Sequence, residues 1–266
     1  MKAELNSEDK PMPKGKTHKS APIFSVAELD LANDCAKLLW HGISFETAKS
    51  CVSDEALMSY FASPIQQYLT KQKSALSFDL NHLHRLIIAA GLKPMLRKQH
   101  ELSYPQFEQF LSQHFTSFES EIKKASNSTD LWKVSSAFMK HAGKSLVDVN
   151  VQTNAGYRVP LATRILFFAL PTYPLANFSN GLAKSLNLQS RPEAAIHPFY
   201  QIFHDCLIIN NKQLRKYEMP QSLGVLDDDI YSAVRNSDWW HRRVIDIALL
   251  LHFNVTKVAT PLPNIP

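Results

Sequence analysis

Three short stretches of this chain hold residue types able to do chemistry. His82-Leu83-His84 sets two imidazoles close together, as a metal site would. On a helix, however, residues two apart face away from each other, and helical zinc sites use a spacing of four. No metal centre and no cofactor is therefore expected. His204-Asp205-Cys206 offers a base, an acid and a nucleophile side by side. Adjacent helical residues cannot converge, whereas hydrolytic triads assemble from distant positions. The third stretch is Trp239-Trp240-His241-Arg242-Arg243. Indole and guanidinium faces can stack on a base or clamp a phosphate, which makes Trp240, Arg242 and Arg243 candidate nucleic-acid contacts. A structural alternative stands beside this one. Trp239 fills a core while Arg242 and Arg243 pair with Asp227, Asp228, Asp229 and Asp246.

These side chains need a scaffold, and residues 159–188 are the most apolar and most punctuated part of the chain. Pro160 fits the first turn of a helix, where a missing N–H costs nothing. Leu161, Ile165, Leu166, Phe168 and Ala169 form its buried face, and Pro171 stops it. Residues 171–174 then make a rigid elbow, and Ser179 or Asn180 caps a second helix running through Leu186. Pro192 opens a long helix to about Arg215. The run of acids at Asp227, Asp228 and Asp229 suits another N-terminus. The last helix starts near Ser237 or Asp238, with Trp239, Val244, Ala248 and Leu251 on one side.

Upstream, Ser25 and Glu28 read as a capping box. Val26, Leu29, Ala32, Ala36 and Leu39 recur at helical spacing up to Gly42. Short helices are expected at 45–51 and 54–71. Asp79 caps another, with Leu80, Leu83, Ile87 and Ala90 on one face. Residues 103–119 carry the stripe Phe107, Phe110, Leu111, Phe115 and Phe118, which reads as core. A further helix follows the polar break at 127–130 and ends at Gly143. Residues 71–100 place Lys71, Lys73, Arg85, Lys93, Arg97 and Lys98 against the single acid Asp79. The cluster is the one basic surface of the folded region and a candidate for phosphate contact through Arg85, Lys93, Arg97 and Lys98. The division that follows is a flexible basic arm at 1–22, an N-terminal helical region at 23–125, a second helical region at 126–256 and a frayed, proline-containing tail at 257–266.

Composition agrees with an all-α, multi-helix globular protein. The chain has 266 residues, 45% of them hydrophobic, and only 7 glycines, where average usage of about 7% gives roughly nineteen. Glycine serves strand turns and phosphate-cradling loops, so its scarcity argues against sheet folds and nucleotide-binding loops. Cys35, Cys51 and Cys206 are widely spaced and read as reduced thiols in a cytoplasmic protein. No apolar run approaches the roughly 20 residues that span a bilayer, so no membrane partner is expected. The formal charge of +5 favours a polyanion only where the charges cluster.

The run T-R-I-L-F-F-A-L-P-T-Y-P-L-A-N-F-S, followed downstream by W-W-H-R-R-V-I-D-I-A-L-L-L, resembles bacterial proteins with the 8-oxoguanine DNA glycosylase fold. The likeness covers about the last 110 residues and implies a helical fold related to the helix-hairpin-helix DNA glycosylases. Those enzymes flip a base from the duplex and cut its glycosidic bond, and the bifunctional ones use a lysine nucleophile assisted by an aspartate. At the matching positions this chain has Arg158, or alternatively Arg164, and Asn177. Arginine does not become a neutral amine, and asparagine carries no charge to steady an oxocarbenium ion. The Gly-hydrophobic-Gly of the DNA-gripping hairpin is missing as well, since Gly156 stands alone.

The resemblance thus implies a DNA-associated protein whose former base pocket is lined by Arg158, Arg164 and Asn177, without the usual excision chemistry. Two alternatives stay open. One is an active glycosylase or lyase drawing on another group, such as Lys140 or Lys144. The other is a helical protein-interaction module of a mobile-element or defence system, with a protein rather than DNA as partner.

Overall fold

The structure is a computed structural model describing residues 20–69, 128–148, 158–188 and 191–264. Eight α-helices make up the described residues, with no strand among them: α1 Val26–Trp40, α2 Asp54–Leu69, α3 Ser128–Asp148, α4 Arg158–Ala169, α5 Asn180–Ser185, α6 Pro192–Leu214, α7 Asp228–Arg235 and α8 Trp239–His252. The all-α class read from the sequence is the observed one. The helices expected around Asp79 and over 103–119 lie outside the described residues, as does the basic cluster at 71–100.

Local chemistry sets most helix ends. At α1, Ser25 Oγ accepts from the Glu28 N–H at 3.2 Å while Glu28 Oε2 accepts from the Ser25 N–H at 2.8 Å, the reciprocal capping box. Its far end is closed by Gly42 at φ +72°, where an added Cβ would meet the Cys51 carbonyl oxygen at 2.9 Å. Only glycine fits there. Ser179 caps α5 through the Leu182 N–H, Pro192 stands at the start of α6, and Asp227 caps α7 through the Asp229 N–H.

Two sequence expectations are corrected. Residues 45–51 form a turn rather than a helix: Ile43 pairs with Ser50 as an isolated antiparallel bridge, and Ala48 adopts φ +54°. The Cys51 N–H donates to the Gly42 carbonyl at 2.8 Å, so this backbone is satisfied across the turn rather than along a helix. Helix α3 also runs through Gly143 to Asp148. A glycine costs a helix interior only about 1 kcal/mol, a penalty that weakens a helix without ending it.

The core is one cluster reaching from Phe24 to Leu249. Helix α4 buries Leu161, Ile165, Leu166, Phe168 and Ala169, as its pattern requires. Three tryptophans tie the ends of the chain together. Trp40, Trp239 and Trp240 meet at ring centroids 6.2–6.4 Å apart. Trp240 Nε1 donates to Asn33 Oδ1 on α1 at 3.2 Å, and Trp239 Nε1 donates to the Phe167 carbonyl on α4 at 3.3 Å. Trp132 instead packs on α6 against Tyr200 and Phe203.

The elbow after α4 is irregular backbone inside this core, so its polar groups need side-chain partners. Thr163 Oγ1 accepts from the Phe178 N–H at 3.2 Å, and Tyr200 Oη bridges the Ala176 N–H and C=O at 3.1 Å each. Arg242 serves two more of these groups, donating from Nη1 to the Leu175 carbonyl at 2.9 Å and from Nη2 to that of Pro171. Glu55 does the same for the loop before α7. Its buried carboxylate accepts from Ser222 Oγ at 2.6 Å, the Leu223 N–H at 2.9 Å and the Leu226 N–H at 3.3 Å.

Candidate functional site

The first candidate is a buried ionic cluster around α8. Arg243 grips Asp54, at the start of α2, with two hydrogen bonds: Nε to Oδ2 at 2.7 Å and Nη2 to Oδ1 at 3.1 Å. Its third nitrogen, Nη1, donates to Asp246 Oδ2 at 2.8 Å, one turn along the same helix. Asn177 Nδ2, from the elbow, reaches the same Asp246 oxygen at 3.4 Å. Arg164 on α4 adds its charge to Asp246 and Asp54 without a direct hydrogen bond, and its Nε is enclosed with no partner. Asp246 is 1% exposed, and its Oδ1 is likewise unpartnered.

Electrostatics follow from this burial. Desolvation opposes the Arg243 charge, yet Asp54 and Asp246 outweigh it and hold the guanidinium above its ordinary pKa. Burial pushes the Asp246 carboxyl up, against the pull of Arg243, Arg164 and the Asn177 amide. Burial and the neighbouring Arg243 charge lower Arg164. The structural alternative for Arg243 is thus half met: it pairs with Asp246, and its other acid is Asp54 rather than any of Asp227, Asp228 and Asp229.

The second candidate is a cavity of about 360 Å³ beneath the elbow. Its lining combines the mainly apolar Trp132, Thr172, Tyr173, Pro174, His204 and Leu207 with the polar Asn236, Ser237, Asp238 and Arg242. The Trp132 and His204 rings lie 5.4 Å apart at 38°. Burial lowers the His204 pKa below 6.5, the neighbouring Asp205 opposing it, so the ring is neutral at pH 7. Asp238, at the outer rim, lies 3.8 Å from His241 Nδ1. His241 is also held below 6.5, burial again being the main cause.

The depressed histidines set a pH dependence. Unfolded, each takes up a proton near pH 6.5, whereas folded it resists until a lower pH. The stability from His204 and His241 is therefore complete above 6.5 and lost as pH falls toward their folded values. The melting temperature is expected to drop between about pH 7.5 and about pH 5.5, with a shallower drop in His204→Gln. An identical profile in the variant would exclude His204 as a source.

The structure places the residues read from the sequence in different settings. Arg164 and Asn177 come together around Asp246; the Arg158 side chain lies outside the described residues. Arg85, Lys93, Arg97 and Lys98 lie outside them too. Trp240, Arg242 and Arg243 are buried, a correction to their reading as a stacking and clamping surface. The Trp240 N–H is spent on Asn33 and the Arg243 donors on Asp54 and Asp246, so an external nucleic acid finds none of them at the surface. His204-Asp205-Cys206 does not converge: Asp205 accepts from Gln201, and burial pushes the Cys206 thiol up to about 12. Cys35 and Cys206 are buried free thiols and Cys51 a half-buried one. Among the described residues no cluster of three His, Cys, Asp or Glu could hold a metal ion, and no helix is long and apolar enough to cross a membrane.

Sequence reasoning missed Asp54 and the cavity. Asp54 reads as an ordinary helix-start acid, and its partner is 189 positions away. Tyr173 and Pro174 are legible as elbow residues, but Trp132 and His204 carry no sign that they meet there. No protein-family model, curated protein or solved structure matches this chain.

Proposed function

We propose that this chain is a DNA-associated helical protein of glycosylase-like architecture that does not use lysine–aspartate base excision. The observation supporting this most is the use made of Arg164 and Asn177. The positions where that chemistry would need an amine and a free carboxylate hold a guanidinium and an amide, and the amide is bonded to Asp246 within a buried ionic cluster. Such a pair can hold helices in register but supplies neither a Schiff-base amine nor a charge for an oxocarbenium ion. DNA contact would fall to the basic segment carrying Arg85, Lys93, Arg97 and Lys98. There the side chains would neutralise phosphates regardless of base sequence.

Titration of labelled duplex and single-stranded DNA across a salt series tests the reading. Binding should weaken steeply with salt. The Lys93→Ala/Arg97→Ala/Lys98→Ala variant should lower the slope by about 2–3, close to one for each phosphate that is no longer neutralised. Base release or strand cleavage on an 8-oxoguanine duplex is not expected. Turnover would favour the excision-enzyme reading instead. An unchanged slope in the triple variant would remove the basic segment from the interface, and no binding at low salt would remove DNA altogether.

A further inference from the structure

We propose that the cavity beneath the elbow binds a small planar carboxylate, a function separate from any DNA contact. Arg242 supplies a buried cation to the lining of this cavity. It is 2% exposed, and its charge has no carboxylate within ion-pairing distance among the described residues. Its two hydrogen-bonded nitrogens go to the Leu175 and Pro171 carbonyls, which are neutral, and its Nε has no partner. Burial lowers its pKa to about 10, with Asp238 and Tyr200 opposing, so it stays a cation at pH 7. Among the described residues this buried cation bonds to neutral carbonyls and feels the exposed Asp238 charge from beyond ion-pairing distance, an arrangement that a nearer anion would relieve. Arg243, the next residue, shows the contrast: it is also buried but has two acids of its own.

Arg242 is among the residues lining the cavity, and the anion is assigned to that part of the lining. The other lining residues specify the rest of the ligand. Trp132, Tyr173 and Pro174 offer flat apolar surfaces, and the neutral His204 ring adds another. Asn236 and Ser237 add polar groups to the lining, and Asp238 at the rim disfavours a second negative charge. A volume of about 360 Å³ admits a one- or two-ring molecule. These features select a singly charged, planar acid over a multiply charged phosphate, with the carboxylate toward Arg242 and the rings toward Trp132.

Calorimetric titration of the full chain with indole-3-carboxylate, neutral indole and inorganic phosphate tests this. Indole-3-carboxylate is expected to bind at least about tenfold more tightly than either of the others, the usual gain from a charge-assisted hydrogen bond. Thr172→Trp places an indole on an exposed wall residue and should abolish binding without changing the melting temperature. Arg242→Met should erase the preference for the acid; if it fails to fold, Thr172→Trp still decides the location. Equal binding of indole or phosphate, no binding at millimolar acid, or binding unaffected by Thr172→Trp would each overturn the proposal.

Discussion

Arg243→Ala is expected to cost about 3–5 kcal/mol of folding free energy, the range for removing one partner of a buried ion pair. The loss comes less from the missing attraction than from what remains. Asp54 would lose its guanidinium hydrogen bonds and keep only the more distant charge of Arg164, and Asp246 would retain the Asn177 amide at 3.4 Å and that same distant charge. Both carboxylates are buried, so neither could turn to water without a local rearrangement of the structure around them. Urea denaturation of the full chain measures the change. A loss below about 1 kcal/mol would mean that the cluster is solvated in solution. Adding Asp54→Ala to Arg243→Ala should cost less than the sum of the single changes by more than about 1 kcal/mol, because the pair acts as a unit. The cluster holds α2, α8 and the elbow together, so its removal should also loosen the cavity wall carrying Arg242.

Trp239→Ala is expected to be about as damaging, about 3–5 kcal/mol by the cost of truncating a large buried aromatic. Trp239 is 0% exposed and packs on Phe167 at 5.4 Å, with Phe168, Trp40 and Trp240 each at 6.2 Å. Truncation would leave a void where α1, α4 and α8 meet and strip the Phe167 carbonyl of its indole donor. Trp239→Phe keeps much of the ring volume and loses the donor, so its loss should be smaller. Equal losses in the two variants would assign the effect to the hydrogen bond rather than to packing. Denaturation midpoints of both variants, followed by circular dichroism at the helical band, give the comparison.

Most helix ends are legible in the sequence because their causes are local. Ser25 and Glu28 are three residues apart, Pro160 sits in the first turn of α4 with Pro171 just beyond its end, and Asp227 sits beside the turn it caps. A residue that lacks an N–H, or an oxygen that reaches the next turn, acts within a few positions whatever the rest of the chain does. The core face of α4 is legible for a similar reason, since 3.6-residue periodicity records which side meets apolar neighbours. The segment at 45–51 is not, because its backbone partners lie across a turn, in the bond from Cys51 to Gly42, and helical propensity says nothing of them.

The site depends on tertiary structure. Tryptophans beside arginines can clamp a nucleic acid or fill a core, and both uses place the same residue types in the same order. Trp240 is a core residue because α1 brings Asn33 to its N–H. Arg243 is an internal cation because α2 brings Asp54 to it, while among the described residues Arg242 has no acid within ion-pairing distance and bonds to the elbow carbonyls. Local residue chemistry thus specifies an all-helical class, well-marked helix ends and an apolar spine at 159–188. Which charges are buried, which are balanced and which line a cavity was decided only when distant helices met, because a charge is stabilised by the groups within a few ångströms of it and not by its neighbours along the chain.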